Sequence, residues 1–322
     1  MQIKRNVLNH GNLFPSAHNV IAAVPEEYIF HAEHERRHPQ SAYSTSLRLI
    51  SSQWLKTLDA FDRLHSEYVW LGKDEHLSDV TAAYTQLLHR LNEHLDACYS
   101  VLRSLCPASG SNDLPIDAQF LGKANPPGWK KFQESTRDYR KNHIGLIVNT
   151  LKHKQGELWP VYFRSDREFR PGYFLCDVLP DGALGPSARL HNGGNTAFSF
   201  ARDMLMHLWW LYRIGSLLSD TIRTHLRMTH GHELADQPHP SDSSDWSAVL
   251  QRCAQLRPEF FPDELEKPYP RILYQAQPQS VTPEFPTTVR GVRLGNEFRI
   301  TTQCSVDGMH REIKLPYFAK QG

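Results

Sequence analysis

Cysteine is scarce: the 322 residues hold five, Cys98, Cys106, Cys176, Cys253 and Cys304, and no two form a Cys-x-x-Cys pair. An odd, scattered set excludes a disulfide framework and a zinc ribbon, and points to reduced thiols in a cytoplasmic protein. A long apolar run is also missing. The most hydrophobic stretch, Met204 to Leu218, is broken by His207 and Arg213 and is too short to span a bilayer. Nothing behind Met1 has the apolar core or small-residue cleavage site of a secretory signal. Neither sign of charge prevails, since 36 Lys and Arg face 35 Asp and Glu, a net charge of +1. That excludes a generic basic coat for nucleic acid but leaves room for a local basic site. No Walker loop, no Gly-x-Gly-x-x-Gly after a strand, no Gly-x-Ser-x-Gly elbow and no internal repeat occurs. What the chain has in excess is histidine, 18 in all, so pairs of histidines at helical spacing arise by chance.

The hydrophobic period predicts a mainly α-helical protein. Residues 1 to about 25 carry no pattern, and Glu26 to His38 reads as a short helix stopped by Pro39. Leu47, Ile50, Trp54, Leu58, Phe61, Leu64 and Tyr68 then recur every three or four residues, giving a long helix from Ser44 to about Gly72. A second runs from about Ser78 to Leu105 on Tyr84, Leu87, Leu88, Leu91, Leu95, Cys98, Val101 and Leu102. The proline-containing stretch 107–128 reads as loop, and a third helix spans about Trp129 to Gln155. Two β-branched and aromatic runs within 159–178 predict a β-hairpin. A loop through Asn192-Gly-Gly-Asn195 leads to Thr196 as N-cap of a fourth long helix over about 197–229. Residues 231–245 read as a linker and Trp246 to Leu256 as a short helix. A three-stranded meander follows at 289–294, 297–304 and 309–315, turned at Gly295-Asn296 and Asp307-Gly308. Such a meander is marginal alone, so it should pack on the helices or on the 159–178 hairpin.

The leading chemical candidate opens the fourth helix: Arg202-Asp203-Met204-Leu205-Met206-His207. Arginine, a polar residue, a short spacer and histidine, at the start of a late helix, resemble the motif of the HEPN superfamily. The resemblance covers about residues 44–230 and implies a four-helix bundle with a β-hairpin inserted before its last helix and a small C-terminal antiparallel β appendage. It further implies an RNA-directed, metal-independent ribonuclease or an inactive RNA-binding relative, in a bacterial defence or toxin–antitoxin setting, working as a homodimer without a cofactor. In that chemistry His207 handles the proton of the ribose 2′-hydroxyl, Arg202 holds phosphate charge, and Asp203 orients His207 or the RNA. Asp203 and His207, four apart, share a helix face. Arg202 and His207 lie about 140° apart around an ideal helix and meet only through the long arginine or a partner subunit. The plain alternative is that His207 is a core histidine and Arg202 and Asp203 are ordinary first-turn residues.

The third helix holds a second candidate. Arg137 and His143 fit the loose pattern again, and Asn149, Lys152 and His153 share one face as RNA- or phosphate-binding residues. Here Val148 stands where the family has its arginine, which argues against cleavage at this place. A solvated basic face is the bland alternative. His31, His34 and His38 could face one another on a helix, yet no second ligand segment supports them, and no metal site is assigned. The resulting division is an N-terminal segment 1–43, a helical unit 44–230, a linker with short helix 231–262 and a β-rich part 263–322. The rival to an RNA enzyme is a non-catalytic helical scaffold or adaptor that binds another protein.

Overall fold

Two long amphipathic helices start the fold and fix its core. The computed structural model describes residues 13–71, 75–108, 114–154, 156–164, 168–235, 244–265, 267–275, 280–285, 299–302 and 312–317. After a short α1 (Ala17–Ala22) come α2 (Pro39–Leu71) and α3 (Leu77–Arg103), which pack on each other. Leu47, Ile50, Trp54, Leu58, Phe61 and Leu64 of α2 are buried, as the helical period requires, and so are Tyr84, Leu87, Leu88, Leu91 and Leu95 of α3. Pro39, expected to stop a helix, instead opens α2, where its missing N–H has no partner to lose. The short helix expected over Glu26 to His38 is two 3-10 turns, Glu26–Tyr28 and His31–His34, ended by Glu35 at φ +53°. The supposed loop 107–128 contains α4 (Asp117–Ala124).

The third helix is not continuous. It consists of α5 (Trp129–Asp138), a π turn at Tyr139–His143 and α6 (Ile144–His153). The amide of Ile144 reaches back to the carbonyl of Tyr139, five residues earlier. Gly145 makes this possible: a Cβ there would lie 2.0 Å from the Arg140 carbonyl oxygen. The extra residue rotates Tyr139 and His143 relative to the helix that follows, and such π bulges often sit at functional sites.

The hairpin forms as expected, from β1 (Glu157–Arg164) and β2 (Phe169–Val178), antiparallel from Glu157↔Cys176 to Arg164↔Phe169. β3 (Leu184–Pro186) and β4 (Phe198–Ser199) also pair with β2. Side chains alternate across this sheet. Leu158, Tyr162, Tyr173 and Leu175 join the helical core, whereas Trp159, Val161, Phe163, Phe174 and Cys176 join a smaller apolar cluster around Phe261. Helix α7 (Phe200–His230) begins three residues later than expected, with Ser199 rather than Thr196 at its N-cap, because β4 claims the intervening residues. Helix α8 (Ser244–Ala254) adds Trp246, Val249 and Leu250 to the main core. The strands β5 (Arg271–Gln275) and β6 (Ser280–Glu284) form a hairpin of their own, and β7 (Arg299–Thr302) extends the main sheet beside β1. The predicted strand 289–294 and the turns at 295–296 and 307–308 lie outside the described residues. Ile313 bridges to Leu184, so the chain's C-terminal part does pack on the sheet that holds the hairpin. The chain is thus mainly helical with a small antiparallel sheet. Among the described residues no helix is long and apolar enough to cross a membrane.

Candidate functional site

Asp203 is the focus of the polar interior. It lies in the first turn of α7, on the side that faces α3 and β2, and it is 3% exposed. A carboxylate cut off from water costs several kcal/mol unless donors surround it. Here Tyr84, Tyr173 and His143 supply them from three elements, and His207 lies beside them. Tyr84 of α3 and Tyr173 of β2 donate their hydroxyls to Oδ2 at 2.7 and 2.5 Å. His143 of the π turn places Nε2 3.1 Å from Oδ1. His207, one turn along α7, places Nε2 3.2 Å from Oδ2. Burial pushes the carboxyl up, but the attraction of His207 and His143 and the His143 hydrogen bond more than offset it, and Asp203 is held well below the usual carboxylate range.

His207 is wholly buried. Its Nδ1 is 2.8 Å from the hydroxyl of Tyr139, which the π turn aims inward. Its Nε2, although near the carboxylate, is misaligned for a hydrogen bond and has no other partner. Burial drives the His207 pKa down, against the raising pull of Asp203. The three phenols around the cluster, Tyr84, Tyr139 and Tyr173, are pushed well up by burial and stay protonated. His191 completes the surroundings: its Nε2 accepts the Leu175 amide at 2.8 Å, and burial lowers it to about 3.

Of these groups only His143 reaches the surface, with a quarter of its side chain exposed. Nε2 bound to Asp203 leaves Nδ1 for chemistry. The ligand atoms of His143, Asp203 and His207 lie within 4.8 Å of one another, the one group among the described residues able to converge on a metal ion.

The sequence candidates separate into three places. Asp203, His207 and His143 come together. Arg202 does not join them: it projects from another side of α7, and its Nη2 donates to the Pro268 carbonyl at 2.9 Å. The arginine and histidine of the motif therefore face different surroundings, as five residues of helix dictate when no partner copy reunites them. Arg137, Asn149, Lys152 and His153 are exposed on the outer faces of α5 and α6. Two histidines of the N-terminal segment are otherwise engaged, His34 with the Cys106 carbonyl and Arg103 and His38 with Glu26, while His31 lies edge-on to His38. Where α7 begins, the carboxylate of Glu264 accepts from Ser199 N, Ser199 Oγ and Phe261 N.

Sequence reasoning missed Tyr84, Tyr139, Tyr173 and His191 as polar groups. It placed Tyr84 on a buried helix face, and a buried aspartate on an apolar helix was the signal that hydroxyls must point at it. No protein-family model matches the chain, and neither the curated proteins nor the solved structures contain a match. The HEPN resemblance thus rests on the residues alone.

Proposed function

We propose that the Asp203 cluster is the centre of an acid–base enzyme that cleaves RNA, with His143 as its proton-handling group. The observation that carries this reading is the exposure pattern: a buried carboxylate grips one nitrogen of an imidazole that is itself one quarter exposed. This is how a carboxylate holds a catalytic histidine in one tautomer. RNA as substrate comes from the Arg202–His207 stretch and its family resemblance. His143 takes the proton-handling place in this reading because His207 is sealed and Arg202 is turned away.

The step is ordinary transesterification. Nδ1 of His143 takes the proton of a ribose 2′-hydroxyl, the oxygen attacks the adjacent phosphorus, and the 5′-oxygen leaves with a proton from water. Products are a 2′,3′-cyclic phosphate and a 5′-hydroxyl. Lys141, exposed two residues before His143 on the same π turn, would supply positive charge for the phosphate. All polar groups of the cluster come from one chain, so a composite dimer site is not needed.

The test is incubation of purified protein with total RNA in EDTA, beside His143→Ala and Arg202→Ala variants checked for folding by circular dichroism. Cleavage by wild type and Arg202→Ala, lost in His143→Ala, is the expected result. An inert wild type, or a His143→Ala variant as active as wild type, ends the reading.

One observation favours a second reading, the scaffold. Asp203 ties α3, the π turn, β2 and α7 together, a role that needs no substrate. An RNA-inert protein that is strongly destabilised by Asp203→Asn is what the scaffold expects.

A further inference from the structure

We infer that His143, Asp203 and His207 bind one divalent transition-metal ion of the zinc class. The inference concerns the same residues as the proposed RNA chemistry but does not depend on it.

The donor set is the first ground. Two imidazoles and a carboxylate are the ligand types of three-coordinate protein sites that keep further positions for water, as catalytic zinc and non-haem iron sites do. Spacing is the second. The nitrogen–oxygen separations are 3.1 Å for His143 and 3.2 Å for His207. The two nitrogens face different oxygens of the one carboxylate, Oδ1 for His143 and Oδ2 for His207. One ligand atom from each of the three residues lies within 4.8 Å of the others, so small side-chain shifts would bring all three to one ion at roughly 2.1 Å.

The third ground is independent of both. His207 Nε2 is fully buried and unpartnered, although such atoms almost always find a partner. It points at the carboxylate without a hydrogen bond, which is how a lone pair waits for a cation. Its other nitrogen is held by the Tyr139 hydroxyl at 2.8 Å. With Nδ1–H donating to that oxygen, Nε2 carries the free lone pair, and the tautomer suits ligation. Tyr84 and Tyr173 hold the carboxylate in the same way. Metal-binding histidines and carboxylates are usually fixed by such outer partners. Entry is past His143, the one ligand that touches solvent.

An ion here and proton transfer by a metal-free His143 exclude each other, because both use His143 Nε2 and the Asp203 oxygen that faces it. Bound zinc would silence EDTA-resistant RNA cleavage.

The experiment uses the full chain, dialysed with zinc or cobalt(II) and then freed of loose metal. Elemental analysis should find one equivalent retained by wild type and by His153→Ala, an exposed-histidine control, and none by His143→Ala. Cobalt(II) should give a ligand-field spectrum that His143→Ala lacks. Tyr139→Phe, which keeps the fold's apolar contacts, should weaken affinity about 10- to 100-fold. Circular dichroism and melting of the metal-free proteins show whether each variant folds. Wild type that retains no metal overturns the inference, as does equal retention by His143→Ala. RNA cleavage in EDTA by a protein that takes up no metal defeats this inference and leaves the proposed function standing. Stoichiometric metal with no cleavage under any condition does the reverse.

Discussion

Two carboxylates are buried near the start of α7, and they are held in opposite states. Asp203 meets two imidazoles and two phenols and stays ionised well below the usual range. Glu264 is just as buried, yet burial raises it to about 7 against the opposing pull of Arg202, the Ser199 hydroxyl and the Phe261 amide. Both have hydrogen-bond donors, so donors alone do not decide the charge. The difference lies in what touches each carboxylate: two imidazoles and two phenols close directly on Asp203, whereas Arg202 gives its Nη2 to the Pro268 carbonyl rather than to Glu264. Burial sets the cost of a charge, and the groups that touch it decide whether the charge is kept.

The contrast is broken most severely by removing the ionised member. Asp203→Ala leaves the His143 imidazole and two buried phenols without their acceptor and should cost about 3–5 kcal/mol in chemical denaturation. A loss under about 1 kcal/mol would show that the cluster does not tie its four elements. Glu264 should instead show itself through pH. Its folded-state value lies above the unfolded carboxyl's 4.5, so its contribution is fully present below about 4.5 and is lost as pH rises to about 7. The loss amounts to about 3 kcal/mol in total, at about 1.4 kcal/mol per unit. Melting curves should show this slope in wild type and its absence in Glu264→Gln. Asp203, shifted the other way, contributes above the unfolded carboxyl range and loses its contribution only in acid.

Smaller changes sharpen the contrast. Tyr173→Phe removes one donor from the charged Asp203 and should cost about 1.5–3 kcal/mol, read by denaturation at neutral pH. Gly145→Ala drives a methyl into the Arg140 carbonyl, so the π turn must shift and His143 with it, at about 1–3 kcal/mol. Its signature is an Asp203 carboxyl that titrates higher, seen by NMR. An unchanged titration would mean that the π turn does not hold His143 on Asp203. Arg202→Ala should change stability by less than about 1 kcal/mol, and it should raise the Glu264 titration while leaving that of Asp203 alone.

Much of the helical layout was legible because each long helix buries one face. Leu47 to Leu64 and Tyr84 to Leu102 repeat every three or four residues, and the same residues are buried. The hairpin announced itself by its aromatic and β-branched runs. What escaped notice depends on contacts rather than period. The π turn inserts one residue without disturbing the apolar count, so Trp129 to Gln155 looked like a single helix. Within the candidate site, Asp203 and His207 were readable as a pair because four residues make one turn, and His143 was named for its own pattern.

The local sequence thus determined the helix-rich class, the hairpin and the Asp203–His207 pairing, since each follows from a spacing within a few residues. Only the tertiary structure decided that His143 and three tyrosines, drawn from positions 84 to 173, would close on Asp203 while Arg202 turned toward Pro268. The reason is physical: a charge buried in an apolar core recruits its partners by distance in space, and spacing along the chain carries no record of that distance.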